Sequence, residues 1–178
     1  MLRYILSYIT FPGVIAHEFA HAWACRRMGI RIHKICYLRF GNPLGYVLHD
    51  APAYAIQHIL VAVAPFFVST VLSVALSLSA CAIARYAHIY ELRDILVILA
   101  VWCSFSFALH AFPSSGDGDA LWDDVRSPDI SLLAKLLLVP VVAVIRLALL
   151  GNRIWLDAMF AVAIVALPPT LLLVLTSG

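Results

Sequence analysis

Charge is what this chain has least of. Asp, Glu, Lys and Arg make up 12% of its 178 residues against 63% hydrophobic ones, and the mean hydropathy is +0.97. A water-soluble globule of this size cannot hide that much apolar surface, so the composition excludes one and indicates an integral membrane protein. The net charge of +2 is small and dispersed, and with no dense Arg/Lys block nucleic acid is excluded as a partner. Cysteine is sparse as well. Cys25, Cys36, Cys81 and Cys103 show no CxxC spacing, and Cys81 and Cys103 fall within or near apolar spans. They read as packing residues and not as a disulfide frame. The apolar N-terminus mimics a signal peptide but carries no small-residue cleavage pattern, so it is expected to be retained. The chain is also expected to have no room for a folded domain outside the membrane.

Against that apolar background stands His17-Glu18-Phe19-Ala20-His21, the pattern HExxH. Histidines four apart lie on one helical face, one turn above the other, so their ring nitrogens can converge on a single zinc ion. Glu18 points about 100° round the helix from His17, free to act as a general base. The bland reading is a helix whose polar residues simply bond one another. An ionisable residue in hydrocarbon costs a few kcal/mol, however, and three within five residues need a compensating partner, for which a metal is the obvious choice.

The remaining segments organise around this one. The first apolar segment, Leu2 to Cys25, carries a Pro12-Gly13 break and ends at Arg26-Arg27. At ~1.5 Å per residue, His21 lies ~7 Å and His17 ~13 Å inward of that arginine boundary, within a hydrocarbon core ~30 Å thick. From Gly29 to Asp50, Ile32, Ile35, Tyr37 and Phe40 alternate with His33, Lys34 and Arg39, then a Gly41-Asn42-Pro43 turn precedes Tyr46-Val47-Leu48. The pattern predicts an amphipathic β-hairpin at the membrane surface, with an irregular basic loop as the alternative. A second span falls within Tyr54 to Ala84, kinked at Pro65, and a third within Ile95 to Phe112. The third stops at Pro113-Ser114-Ser115-Gly116-Asp117-Gly118-Asp119, which reads as a turn. Ile130 to Leu150 and Trp155 to Leu175 complete the chain, the former able either to span or to lie in the interface. The expected fold is an all-α polytopic membrane protein. It has about five transmembrane segments and a small amphipathic hairpin between the first and second, in a single membrane-embedded domain (1–178). Residues 1–126 make its core and 127–178 its two C-terminal segments.

Parity brings Asp117 and Asp119 to the same face as His21. The metzincin extension would need Gly and His where Ala24 and Arg27 stand, so that class of zinc protease is excluded. A distant glutamate is also disfavoured as third ligand. The only glutamate besides Glu18 is Glu91, which parity puts at the opposite face. Two histidines and an aspartate remain, with Asp117 and Asp119 both in reach and a fourth position left for water or a substrate carbonyl.

The stretch HEFAHAWACRRMG resembles the zinc helix of the site-2 protease family of intramembrane metalloproteases, in its short form without a peptide-binding domain. His110-Ala111-Phe112-Pro113 through Asp117-Gly118 is similar to the later family element whose Asp is the third ligand. The resemblance covers roughly Val14 to Trp122, and HExxH is its most specific part. It implies an intramembrane endopeptidase in which Zn²⁺ is held by His17, His21 and Asp117, with Asp119 as the alternative. The departures are informative. The family usually has Asn where His110 stands, and its Asp-Gly pair lies one residue further from the Pro. Its Gly-Pro motif followed by Asn is here only Ala64-Pro65. A role in holding substrate backbone would then pass to Ser69 or Thr70 or be absent, and His110 could donate to the ligating carboxylate.

The resemblance implies hydrolysis of a peptide bond in or beside a transmembrane segment of a membrane-protein substrate. Zinc would lower the pKa of bound water from 15.7 toward ~7, and Glu18 would carry the proton to the leaving amine. A transmembrane helix offers no free carbonyl, so the substrate must unwind. The hairpin edge around Ile35 and Tyr37 could accept it as an added strand. Selection would fall to the lipid bilayer, the hairpin or a separate protein. An excess of Arg and Lys on the site face (Arg26, Arg27, Arg31, Lys34, Arg39, Arg126, against Arg3, Arg85, Arg93, Arg153) points the site to the cytoplasm. Two other classes stay open: a non-proteolytic zinc-bound protein that binds client helices, against which Glu18 argues, and a metal transporter, for which one clustered site is poor material.

Overall fold

The computed structural model describes residues 2–128 and 130–177. Among them the chain is mostly helical, with seven α-helices and one two-stranded antiparallel sheet. Four helices are long and apolar enough to cross a membrane: α3 (Ala55–Tyr86), α4 (Tyr90–Leu109), α6 (Leu132–Gly151) and α7 (Leu156–Ser177).

The first apolar segment is not one helix. It breaks at Thr10 into α1 (Leu2–Ile9) and α2 (Phe11–Arg27), because Pro12 has no N–H to donate to Tyr8 and fits only a first helical turn. No side chain of α1 is buried, and its start is tied to the far end of the chain through an Arg3–Asp157 ion pair at 2.8 Å. α2 carries HExxH and, at 17 residues, is not among the four helices long and apolar enough to span.

α2 packs against α4 with one constant offset. Trp102 Nε1 donates to the Ile9 carbonyl, Gly13 N–H to Ser106 Oγ, and His17 Nδ1 lies against the His110 carbonyl, each pair 93 residues apart. An unchanging offset means the two helices run parallel, so the Arg26 end of α2 and the His110 end of α4 face the same way. Gly13 permits the close approach, since a Cβ there would stand 2.0 Å from the Ser106 carbonyl oxygen. Between them α3 runs antiparallel, its Ser73 bonded to Ser104 of α4 and its Val61 and Ala64 packed on Ala20 and Ala24 of α2.

The hairpin forms as the alternation requires. β1 (Ile32–Cys36) pairs with β2 (Tyr46–His49), placing Ile35 opposite Val47 and Cys36 opposite Tyr46. The stretch after Pro113, in contrast, is no turn. Apart from its first residues it is α5 (Ser115–Arg126), capped by Ser114, whose hydroxyl and N–H both meet the Asp117 carboxylate at 2.7 Å. α5 lies along α3 with Leu121 packed on Ala62, and α6 returns beside α5 through Leu138, Val142 and Ile145. α7 then packs Ala161 against Ala108 and Leu109 of α4.

Candidate metal centre

Two helices deliver three side chains to one point. His17 and His21 stand one turn apart on the buried face of α2, 8% and 7% exposed, and Asp117 comes from the first turn of α5. Their Nε2 atoms are 3.2 Å apart. Asp117 Oδ1 lies 3.3 Å from His21 Nε2 and Oδ2 lies 3.8 Å from His17 Nε2, and one ligand atom from each residue falls within 4.8 Å of the others. Ligands at ~2.0 to 2.2 Å from a tetrahedral zinc would be about 3.3 Å apart, so the spacing suits such an ion.

The donor chemistry points the same way. His17 Nδ1 is 2.8 Å from the His110 carbonyl and His21 Nδ1 is 2.9 Å from the Val61 carbonyl. A carbonyl only accepts, so both rings carry their proton on Nδ1 and turn an Nε2 lone pair inward. Two lone pairs and a carboxylate directed at one point repel unless a proton or a cation sits among them. Burial by itself would raise the Asp117 carboxyl. Where a proton sits among them, the imidazolium that carries it outweighs burial and holds the Asp117 carboxyl well below the usual carboxylate range, and a cation in the same place would hold it ionised likewise. The donors therefore fit Zn²⁺.

Glu18 flanks the centre without joining it. It lines a cleft of about 700 Å³ together with His17, His21 and Asp117. The opposite wall comes from the hairpin, from Asn42 to Val47 and His49, and from Arg3, Tyr4 and Ser7 of α1. Gly45 lies so close that a Cβ there would meet Glu18 Cγ at 2.6 Å, with the Tyr37 and Cys36 carbonyls at 3.0 and 3.1 Å on its other side. A smaller cavity of about 270 Å³ adjoins the cleft, sharing His17, Glu18 and Arg3 and extending to His110, Asn152 and Asp157.

Other sequence expectations fare unevenly. Asp119, the rival ligand, points away and pairs with Arg146 at 2.6 Å. The His110 side chain does not reach Asp117 but lies 2.9 Å from Thr10 Oγ1, and it is the backbone carbonyl of His110 that serves the centre. Ile35 lines a shallow groove with Arg26 and Lys34, and Tyr37 lines an apolar one with Phe11, Pro12 and Phe19, so neither faces the cleft. The strand beside the centre is β2, because antiparallel pairing puts β1 on the outer side. Ser69 is fully buried in α3, its hydroxyl without a hydrogen-bond partner, and does not line the cleft. Arg3 and Arg153 were expected at the opposite face. Arg3 lines the cleft, and Arg153 sits in the short turn joining α6 to α7, beside Asn152, whose carbonyl accepts from Arg3. Residues to which the sequence reading gave no part in the centre include Val61, Gly45, His49, expected at the interface, and Pro65, read as a kink. Of these, only Pro65, four positions after Val61, carried a signal that could have been followed. Comparison with protein families, with curated proteins and with solved structures finds no match to this chain.

Proposed function

We propose that this protein is a zinc-dependent intramembrane endopeptidase of the site-2 protease kind. The observation that carries the proposal is the convergence of His17, His21 and Asp117, each His oriented by a backbone carbonyl, beside Glu18 in an open cleft. Zn²⁺ held by those three residues would acidify a water toward a pKa of ~7 and polarise the scissile carbonyl. Glu18 takes the proton of the attacking water and returns it to the leaving amine. The Ser114 hydroxyl and N–H hold one oxygen of Asp117, fixing the carboxylate for its ligand role. With each Nδ1–H given to a carbonyl and each Nε2 lone pair given to the metal, neither histidine would compete with Glu18 as a base.

The proposed substrate is a membrane protein whose transmembrane segment unwinds at the cleft. Four apolar helices support a multi-pass, membrane-embedded location. With Arg3 lining the cleft and Arg153 in the turn whose Asn152 carbonyl accepts from Arg3, only Arg85 and Arg93 of the arginines first assigned to the far side stay at the remote ends of α3 and α4. The basic excess on the Arg26 side is correspondingly larger, which supports a cleft open to the cytoplasm.

The test is cleavage of a membrane-segment substrate in proteoliposomes. Chelation is expected to abolish cleavage and added Zn²⁺ to restore it, and cleavage that survives complete removal of metal would overturn the proposal. The substrate strand adds to the edge of β2 near Gly45 to Val47, where backbone hydrogen bonds replace those lost on unwinding. Peptides N-methylated at single positions around the scissile bond should therefore show blocked and cleaved positions alternating with a period of two. A pattern without alternation would sink the strand-addition idea while leaving the hydrolytic one standing.

A further inference from the structure

Both imidazoles of the centre lean on backbone carbonyls, and each carbonyl is free for a reason written in the chain. His110 is the residue that ends α4, where the last carbonyls of any helix lack intrahelical donors. Val61 is different, because it lies well inside α3. A carbonyl there ordinarily accepts from the N–H four residues on. That residue is Pro65, which has no N–H and whose ring pushes against the carbonyl four residues before it.

We infer that Pro65 is a positioning residue for the metal centre. By withholding its N–H it reserves the Val61 carbonyl for His21 Nδ1–H, and so fixes the tautomer that turns His21 Nε2 toward His17 and Asp117. For its purpose the inference rests on the zinc-protease reading, although the hydrogen bond itself is independent of any metal. With an ordinary amide at position 65, the helix would compete for the same carbonyl lone pairs. His21 would then be free to flip its proton to Nε2, where it cannot ligate. Pro140, the proline inside α6, lines an apolar groove with Val63 and Phe66 and serves no ligand.

The experiment compares the full chain in detergent as wild type, Pro65→Ala, Pro65→Val and Pro140→Ala. Zinc affinity is read by chelator competition, and the His21 tautomer by ¹⁵N shifts of metal-free protein at alkaline pH, where imidazoles are neutral. Pro65→Ala and Pro65→Val, one smaller and one larger than proline, are expected to weaken zinc by a similar factor of ~10–100, the usual cost of losing a ligand's supporting partner. In both, His21 should lose its clean Nδ1–H signature, while Pro140→Ala matches wild type. An unchanged tautomer and affinity would overturn the inference. So would a zinc affinity that follows side-chain size, since a packing role for the buried ring predicts that result. If the wild type itself takes up no zinc, the protease reading fails, and the tautomer comparison alone decides whether Pro65 governs His21.

Discussion

Glu18→Gln is expected to lower cleavage by a factor of ~10²–10⁴, the range a positioned general base contributes, and to leave bound zinc at the wild-type level. The two outcomes separate because Glu18 lines the cleft beside the three proposed ligands and is outside their cluster. Glutamine keeps the shape of the side chain against Gly45, so the hairpin wall should not shift. What it loses is the ability to accept a proton from water. Cleavage rate and zinc content measured on the same preparation check this. A variant that cleaves normally would mean that some other group moves the proton, and one that loses zinc would mean that Glu18 holds the ion.

How much of this was legible in the sequence depends on the range of the interaction involved. The HExxH helix and the hairpin rest on local periodicity, and both formed where the alternation of polar and apolar residues put them. The meeting of His21 with an aspartate followed from counting helices, and the constant offset between α2 and α4 is its structural counterpart. α5 was missed because Gly116, Gly118 and their neighbouring aspartates are turn formers. The competing signal was the capping pair Ser114 and Asp117, followed by Leu121, Trp122 and Val125 at helical spacing, and that signal prevailed. The start of α1 meets Asp157 through Arg3, a contact across 154 residues that no local pattern announces. Val61 was invisible for another reason: its contribution is a backbone carbonyl, which every residue has, and only the proline four positions on sets it apart.

Hydrogen bonding on α5 also makes the choice of third ligand testable at single-atom resolution. Asp117 presents one oxygen to Ser114 and the other to His21, whereas Asp119 spends its carboxylate on Arg146. Asp117→Asn can keep a carbonyl oxygen on the Ser114 N–H, so α5 stays capped. Its other atom then becomes an NH₂ directed at the His21 lone pair, which cannot ligate and adds no negative charge to offset the ion. Zinc affinity should fall by well over the ~10–100-fold typical of losing a supporting partner, and cleavage should fall below detection with it. Asp119→Asn removes only an ion pair whose side chains are 46% and 61% exposed, a kind of contact worth ~0–1 kcal/mol. Zinc and cleavage should both stay at wild-type levels in that variant. Chelator competition on the pair of variants distinguishes them directly, and the reverse result, with zinc lost from Asp119→Asn and kept by Asp117→Asn, would mean that α5 rotates by about half a turn when the ion binds.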